Sequence, residues 1–275
     1  MNVDTYNMLN LTANDLIGQS VAVLGIKGSG KSNTAAVLME ELLQAGAPIC
    51  VVDIAGEYYS LRDEFPQVTV IGNSITTEVQ IQLTASNVVD VAEKAYLSAS
   101  SVILDLSKMG RDPRLELLLA YFSRIWQLAA FHRYPLVIFL EEAHNWIPQV
   151  GKTPLTDRLI DIATEGRKRG LSLVMVGTRS SKIHKDTLTQ ADIAFLHRVR
   201  HPVDMNVYYG LVPRKKPKVQ DMVNKLRVGD ALVLMGDKVI RCTIRKRRTR
   251  HIGFTPDLSQ LPAQQLSLLD MLGKE

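Results

Sequence analysis

Residues 25–32 read Gly-Ile-Lys-Gly-Ser-Gly-Lys-Ser, a full G-x-x-x-x-G-K-[ST] pattern. An apolar run, 20–24, precedes it, and an amphipathic stretch, 32–44, follows with Ala35, Leu38, Leu42 and Leu43 on one side and Gly46 as a stop. Strand, glycine-rich turn and helix is the context in which this pattern wraps a phosphate chain. The glycines let successive N–H groups converge, and the helix adds the positive end of its dipole. Gly25, Lys27, Gly28, Ser29, Gly30, Lys31, Ser32 and Asn33 are therefore the expected ATP-binding residues. Lys31 is expected to reach the β- and γ-phosphates, and the Ser32 hydroxyl to hold Mg²⁺.

Such a loop needs a parallel sheet, and the remaining sequence supplies one. Strand patterns fall at 20–24, 49–53, 68–71, 101–106, 136–140, 171–176, 193–196, 231–234 and 239–244, several of them unbroken Val/Ile/Leu runs suited to burial on both faces. Helical patterns at 32–44, 112–132 and 153–169 lie between them, the last opened by Thr153-Pro154 and stopped by Gly170. The expected fold is α/β, with a mainly parallel central sheet flanked by helices. The expected division is an N-terminal extension, 1–18, a core, 19–255, and a tail, 256–275, whose 266–272 segment reads as a short amphipathic helix able to dock on the body or a neighbour. Arg214-Lys-Lys-Pro-Lys218, between two prolines, reads as an exposed loop.

Hydrolysis requires carboxylates at the end of a second strand. Leu136-Val-Ile-Phe-Leu-Glu-Glu142 provides two: Glu141 to orient the metal shell and Glu142 to polarise the attacking water. Asp105 ends another strand but is followed by Leu106, so it reads as a turn cap. Asp53, with Glu57 nearby, also sits at a strand end, where ligands gather in α/β sheets. It either supports the metal shell through water or caps a turn. Trp146, Tyr58 and Tyr59 either stack on bases or anchor loops.

Hydrophobic residues make up 46% of the 275 positions and charged residues 22%, the balance of a globular protein able to bury a core. No apolar run reaches the ~18–20 residues that cross a bilayer; the longest, 115–131, is broken by Glu116, Arg124 and Gln127. With two cysteines and no spaced histidines there is no disulfide framework or zinc pattern, and a cytoplasmic setting without membrane partners is expected. The net charge of +5 is unevenly spread. Residues 179–251 hold eighteen Lys and Arg against six Asp and no Glu, a net of +12 that leaves −7 elsewhere. A polyanion is the expected partner of that part. Candidate DNA contacts are Lys152, Lys182 and Lys185 in loops, and Arg241, Arg245 and Arg247 in the basic run that ends the core. Lys108, Arg111 and Arg114 form a further basic loop. If 239–244 is a strand, Ile240, Cys242 and Ile244 face the core while Arg241, Thr243 and Arg245 face outward, to DNA or to an acidic neighbouring subunit.

Five segments stand in an order that resembles the HerA branch of the HerA/FtsK superfamily: Gly28-Ser-Gly-Lys-Ser-Asn-Thr34, Val52-Asp-Ile-Ala-Gly-Glu-Tyr58, Glu141-Glu-Ala-His-Asn145, Glu165-Gly-Arg-Lys168, and Gly177-Thr-Arg-Ser-Ser-Lys182 with Leu188-Thr-Gln-Ala-Asp192. Val228-Gly-Asp-Ala-Leu-Val-Leu234 also fits. The resemblance implies a RecA-like P-loop NTPase core, a homo-oligomer in the form of a hexameric ring with ATP between subunits and double-stranded DNA in the pore, and Arg167 as an arginine finger acting on a neighbour's γ-phosphate. Read without the resemblance, Arg167 is one of three cations near a helix C-terminus. Thr178-Arg-Ser180 stands where the family often has Gln-Arg-Pro, so Thr178 becomes the candidate for contacting phosphate or water. Glu141 replaces the commoner Asp. Larger family members begin with a small β-barrel, which about 18 residues before the first strand cannot form, so a nuclease partner is a weaker expectation. The implied function is an ATPase coupled to DNA translocation. The alternatives are a viral or mobile-element DNA-packaging ATPase and an oligomeric ATP-binding scaffold that activates a partner enzyme.

Overall fold

A computed structural model describes residues 11–73 and 78–253. The expected extension falls mostly, and the expected tail helix wholly, outside them.

Among the described residues ten strands form one sheet: β1 (Ser20–Leu24), β2 (Ile49–Asp53), β3 (Val68–Gly72), β4 (Ile81–Gln82), β5 (Ser101–Asp105), β6 (Leu136–Leu140), β7 (Leu171–Gly177), β8 (Ile193–Leu196), β9 (Asp230–Met235) and β10 (Lys238–Thr243). Their order is β10-β9-β8-β1-β7-β6-β2-β5-β3-β4. All neighbouring pairs from β8 to β4 are parallel, and β9 pairs antiparallel with both β8 and β10. The expected mainly parallel α/β sheet is thus what forms. The P-loop strand β1 lies in the middle, between β7 and β8.

Alternate residues of each inner strand enter separate cores. Ala22 and Leu24 of β1, with Cys50 and Val52 of β2, join one; Val21, Val23, Ile49 and Val51 join the other. Burial on both faces is why these strands read as continuous apolar runs rather than alternating ones. The first core packs against α3 (Val88–Leu97), α4 (Arg111–Ala129), α5 (Pro154–Glu165), α7 (Pro202–Leu211) and α8 (Lys216–Asn224). The second packs against α1 (Lys31–Gln44) and α2 (Leu61–Glu64). A one-turn helix, α6 (Lys185–Thr189), follows β7.

Three sequence expectations change. The segment with Arg214 to Lys218 is not all loop: Pro217 sits in the first turn of α8, where a missing N–H costs nothing. The 153–169 helix divides into α5 and a tight 3-10 turn, Gly166–Arg169. Strand β4 was not anticipated, because two exposed residues at a sheet edge carry no periodic signal.

Candidate active site

The P-loop begins where β1 ends. Gly25, Gly28 and Gly30 all have positive φ, at 155°, 75° and 110°. The curl that results buries Lys31, whose Nζ donates to the Ile26 carbonyl across the loop at 2.9 Å. Burial lowers the Lys31 pKa, and the carboxylates of Glu141 and Glu142 act against that fall. Both acids therefore lie in the field of the P-loop lysine. Lys27 and Gly28 are exposed at the rim, and Ser32 is half-buried at the first turn of α1. Asn33 points elsewhere. Its Nδ2 donates to the Arg245 carbonyl at 2.7 Å, and its Oδ1 accepts from the Arg247 N–H at 2.9 Å.

Glu141 and Glu142 follow β6 directly, yet their environments differ. Glu141 is buried, with Oε2 lacking a hydrogen-bond partner. Burial, with Asp53 and Glu142 nearby, pushes its pKa up to about 8 against the opposing pull of Lys31. Glu142 occupies the left-handed region at φ 47°, ψ 55°, a conformation that costs a non-glycine residue of order 1–3 kcal/mol and clusters at functional sites. Its Oε2 accepts from the Thr178 hydroxyl at 2.8 Å and lies 3.3 Å from His144 Nδ1. Burial raises its pKa, but the His144 ring 3.3 Å away and the Thr178 hydroxyl outweigh this and hold it at about 2. One carboxyl is thus biased toward the neutral form and its neighbour toward the charged form.

Asp53 is also buried, but both oxygens are occupied. Oδ1 accepts the N–H groups of Ala55 and Gly56 at 3.0 and 2.8 Å, and Oδ2 that of Tyr58 at 2.9 Å. Burial lifts its pKa to about 6 against those bonds. It is the organiser of the loop that carries Glu57 and Tyr58. Asp105 likewise caps its own turn, accepting from the Ser107 N–H at 2.9 Å. Trp146 and Tyr58 are buried, and Trp146 Nε1 donates to the Glu141 carbonyl at 2.8 Å, an anchoring role.

Arg167 lies before β7, whereas the P-loop adjoins that strand's far end through the Gly25 N–H and the Gly177 carbonyl at 3.3 Å. Seven strand residues separate the two ends, about 20 Å, so Arg167 cannot serve the P-loop of its own chain. Its side chain is exposed and makes no side-chain hydrogen bond or ion pair among the described residues, while Arg169 stacks over Trp126 at 4.0 Å.

The six candidate DNA contacts divide into two sets. Lys152, Lys182 and Lys185 are exposed. Their loops are zipped together by the Gln149 N–H to the Lys182 carbonyl, 2.8 Å, and the His184 N–H to the Ile147 carbonyl, 2.9 Å, which brings these lysines to one rim. The arginines of the basic run are engaged within the chain instead. Arg241 pairs with Asp230 at 2.7 Å, and Arg245 with Glu40 and Glu41, both at 2.7 Å. Arg247 reaches Thr249 and Ser60 at 3.1 and 3.3 Å. The expected strand register holds, with Cys242 and Ile244 buried, but the cationic side meets this chain's own acids. Residues 244–250 form a strap across α1. Glu40, fully buried, fastens it by accepting from the Arg248 and Thr249 N–H groups and the Thr249 hydroxyl at 2.7, 2.9 and 2.9 Å. Sequence reading gave Glu40 no role, because one acid on an amphipathic helix looks solvated.

A phosphate loop on the central strand of a RecA-like sheet, with two carboxylates at the end of β6 beyond β7, defines a P-loop NTPase. Residues 4–109 match the family described as the central domain of the helicase HerA. The DNA double-strand break repair helicase HerA of Pyrococcus furiosus is 25% identical over 170 residues, 62% of this chain and 30% of that protein. Over part of its length the chain is thus similar to HerA helicases, and it spans about a third of that relative. In fold it resembles VirB4 of Thermoanaerobacter pseudethanolicus (TM-score 0.63, 12% identity, 88% of this chain and 94% of that one). It also resembles the genome packaging NTPase B204 of Sulfolobus turreted icosahedral virus 2 (TM-score 0.57, 18% identity, 82% and 98%).

Proposed function

We propose that this chain binds ATP with Mg²⁺ at residues 25–32, hydrolyses it, and works as one subunit of a ring that moves double-stranded DNA. The observation that carries the reading is the curl of Gly25, Gly28 and Gly30 around buried Lys31 at the end of β1, with the Glu142 carboxylate at the end of β6 held by the Thr178 hydroxyl at 2.8 Å. The curled loop and Lys31 bind the phosphates. Magnesium would neutralise charge on them as it develops, held by Ser32 directly and by Glu141 through water. Among the described residues no group of three or more His, Cys, Asp or Glu side chains could hold a metal alone, which suits an ion that needs substrate phosphates to complete its shell. Glu142, oriented by Thr178 and His144, directs the attacking water. Arg167 supplies its cation to the site of the next subunit, so that hydrolysis requires assembly. Lys152, Lys182 and Lys185 grip the DNA backbone without reading sequence.

Steady-state ATPase with and without long duplex DNA tests this, with Glu142→Gln and Arg167→Ala beside the wild type. DNA-stimulated turnover, lost in both variants while each still assembles, is expected. Turnover indifferent to DNA would remove the motor and favour the ATP-binding scaffold.

A further inference from the structure

His197 follows β8 directly and is fully buried, with its backbone N–H bonded to the Leu24 carbonyl of β1 at 2.8 Å. Its ring lies beneath the P-loop. Nδ1 is 2.8 Å from the Asp230 carbonyl, and Nε2 is 2.9 Å from the Thr34 hydroxyl on the first turn of α1. A carbonyl only accepts, so Nδ1 carries the proton, and in the neutral ring Nε2 accepts from Thr34. Burial, with Lys31 nearby, lowers the pKa to about 4 although the Asp230 carbonyl opposes this, so the ring is neutral in the physiological range.

The fit to the loop is close. A Cβ on Gly25 would stand 2.6 Å from His197 Cβ, and one on Gly30 would stand 3.6 Å from Cε1. Gly30 is also hemmed in by Gly229, whose Cα and N would lie 3.0 Å from that Cβ and whose N–H donates to the Ser29 carbonyl at 3.1 Å. The Asp230 carboxylate is itself fixed by Arg241 Nη2 and the Thr243 hydroxyl, both at 2.7 Å, and by the Arg227 N–H at 3.0 Å. One imidazole thus joins the start of the P-loop helix to the β9–β10 hairpin, with two of the loop's glycines resting against it.

We propose that His197 is a positioning residue for the phosphate loop: it holds Gly25–Gly30 and the first turn of α1 in the conformation that receives phosphate, using β9 as the fixed support. It touches no phosphate. Its effect is preorganisation, so it acts on nucleotide affinity more than on the chemical step. The inference rests on the nucleotide-binding reading only for its affinity consequence, since the loop geometry is a property of the free chain.

The test uses the full chain with His197→Ala, His197→Leu, His197→Asn and Thr34→Val. In nucleotide-free protein, amide hydrogen exchange across residues 26–34 is expected to rise at least about tenfold in the Ala and Leu variants, while the α4 and β6 amides stay protected. The dissociation constant for a fluorescent ATP analogue is expected to rise about tenfold or more, and KM with it, while kcat changes about threefold or less. Asn, whose amide can stand in for Nδ1–H, should recover part of the loss, and Thr34→Val should reproduce part of it. Unchanged loop exchange in a folded His197→Leu or Thr34→Val protein overturns the proposal, as does a loss spread evenly over the molecule. Failure of the wild type to bind the analogue would sink the ATP reading, and loop exchange would still decide the role of His197.

Discussion

The Thr178 hydroxyl donates to Glu142 Oε2 over 2.8 Å, tying the end of β7 to the carboxylate that follows β6. The expected partner of Thr178 was phosphate or water. In the structure its hydroxyl is committed to the catalytic candidate, which His144 approaches on the same oxygen. With Glu142 in a left-handed backbone conformation, these two contacts fix where the carboxylate points. Thr178→Val keeps the shape and removes the donor. Turnover should fall about ten- to a hundredfold with KM little changed, and Thr178→Ser should recover most of it. Equal kcat in Thr178→Val would show that the bond does not orient the acid.

Glu141 gives a pH signature. Its folded pKa, raised to about 8 by burial and by Asp53, exceeds the ordinary carboxylate value. The folded state therefore holds a proton that the unfolded chain releases. This contribution to stability is present below the unfolded pKa of about 4.3 and is lost as pH rises through 8. Thermal midpoints of nucleotide-free protein should fall between pH 6 and 9, and Glu141→Gln should flatten that slope. An identical slope in the variant would place the Glu141 pKa in the usual range.

Glu40 is the anchor of the strap. Glu40→Ala would strand two backbone N–H groups and weaken the hold on Arg245, whose second partner is Glu41. Removing one partner of a buried ion pair costs about 3–5 kcal/mol. Chemical denaturation should show a loss of that order, and trypsin should cut the native protein within 245–250 far sooner. Glu40→Gln, which keeps an acceptor, should lose less.

Arg167 and Arg169 separate an interface role from a packing role. Arg169 lies over Trp126 at 4.0 Å and donates from Nη1 to the Trp126 carbonyl at 3.3 Å, so Arg169→Ala should destabilise the chain by about 1–2 kcal/mol. Arg167→Ala should leave stability within about 0.5 kcal/mol and ATP affinity unchanged while lowering turnover of the assembled form. Denaturation and ATPase on the same preparations check both.

Local pattern alone was enough to read the P-loop, the Glu141–Glu142 strand end and the α/β alternation, because each is written in contiguous residues whose periodicity or spacing reflects backbone geometry. Strands β1, β2, β6 and β8 began and ended where the apolar runs did, since burial on both faces leaves no room for a polar residue inside them. Tertiary structure decided what the isolated charged and polar residues do. The basic run ending the core looked like a polyanion surface, yet Glu40, some 205 positions earlier, occupies Arg245, and Asn33 grips the backbone beside it. His197 was one of six scattered histidines until the fold set it under the phosphate loop. A hydrogen bond acts over about 3 Å of space and is indifferent to separation along the chain. The sequence therefore fixes which groups exist, and only the packing of β8, β9 and α1 around β1 determines which of them meet.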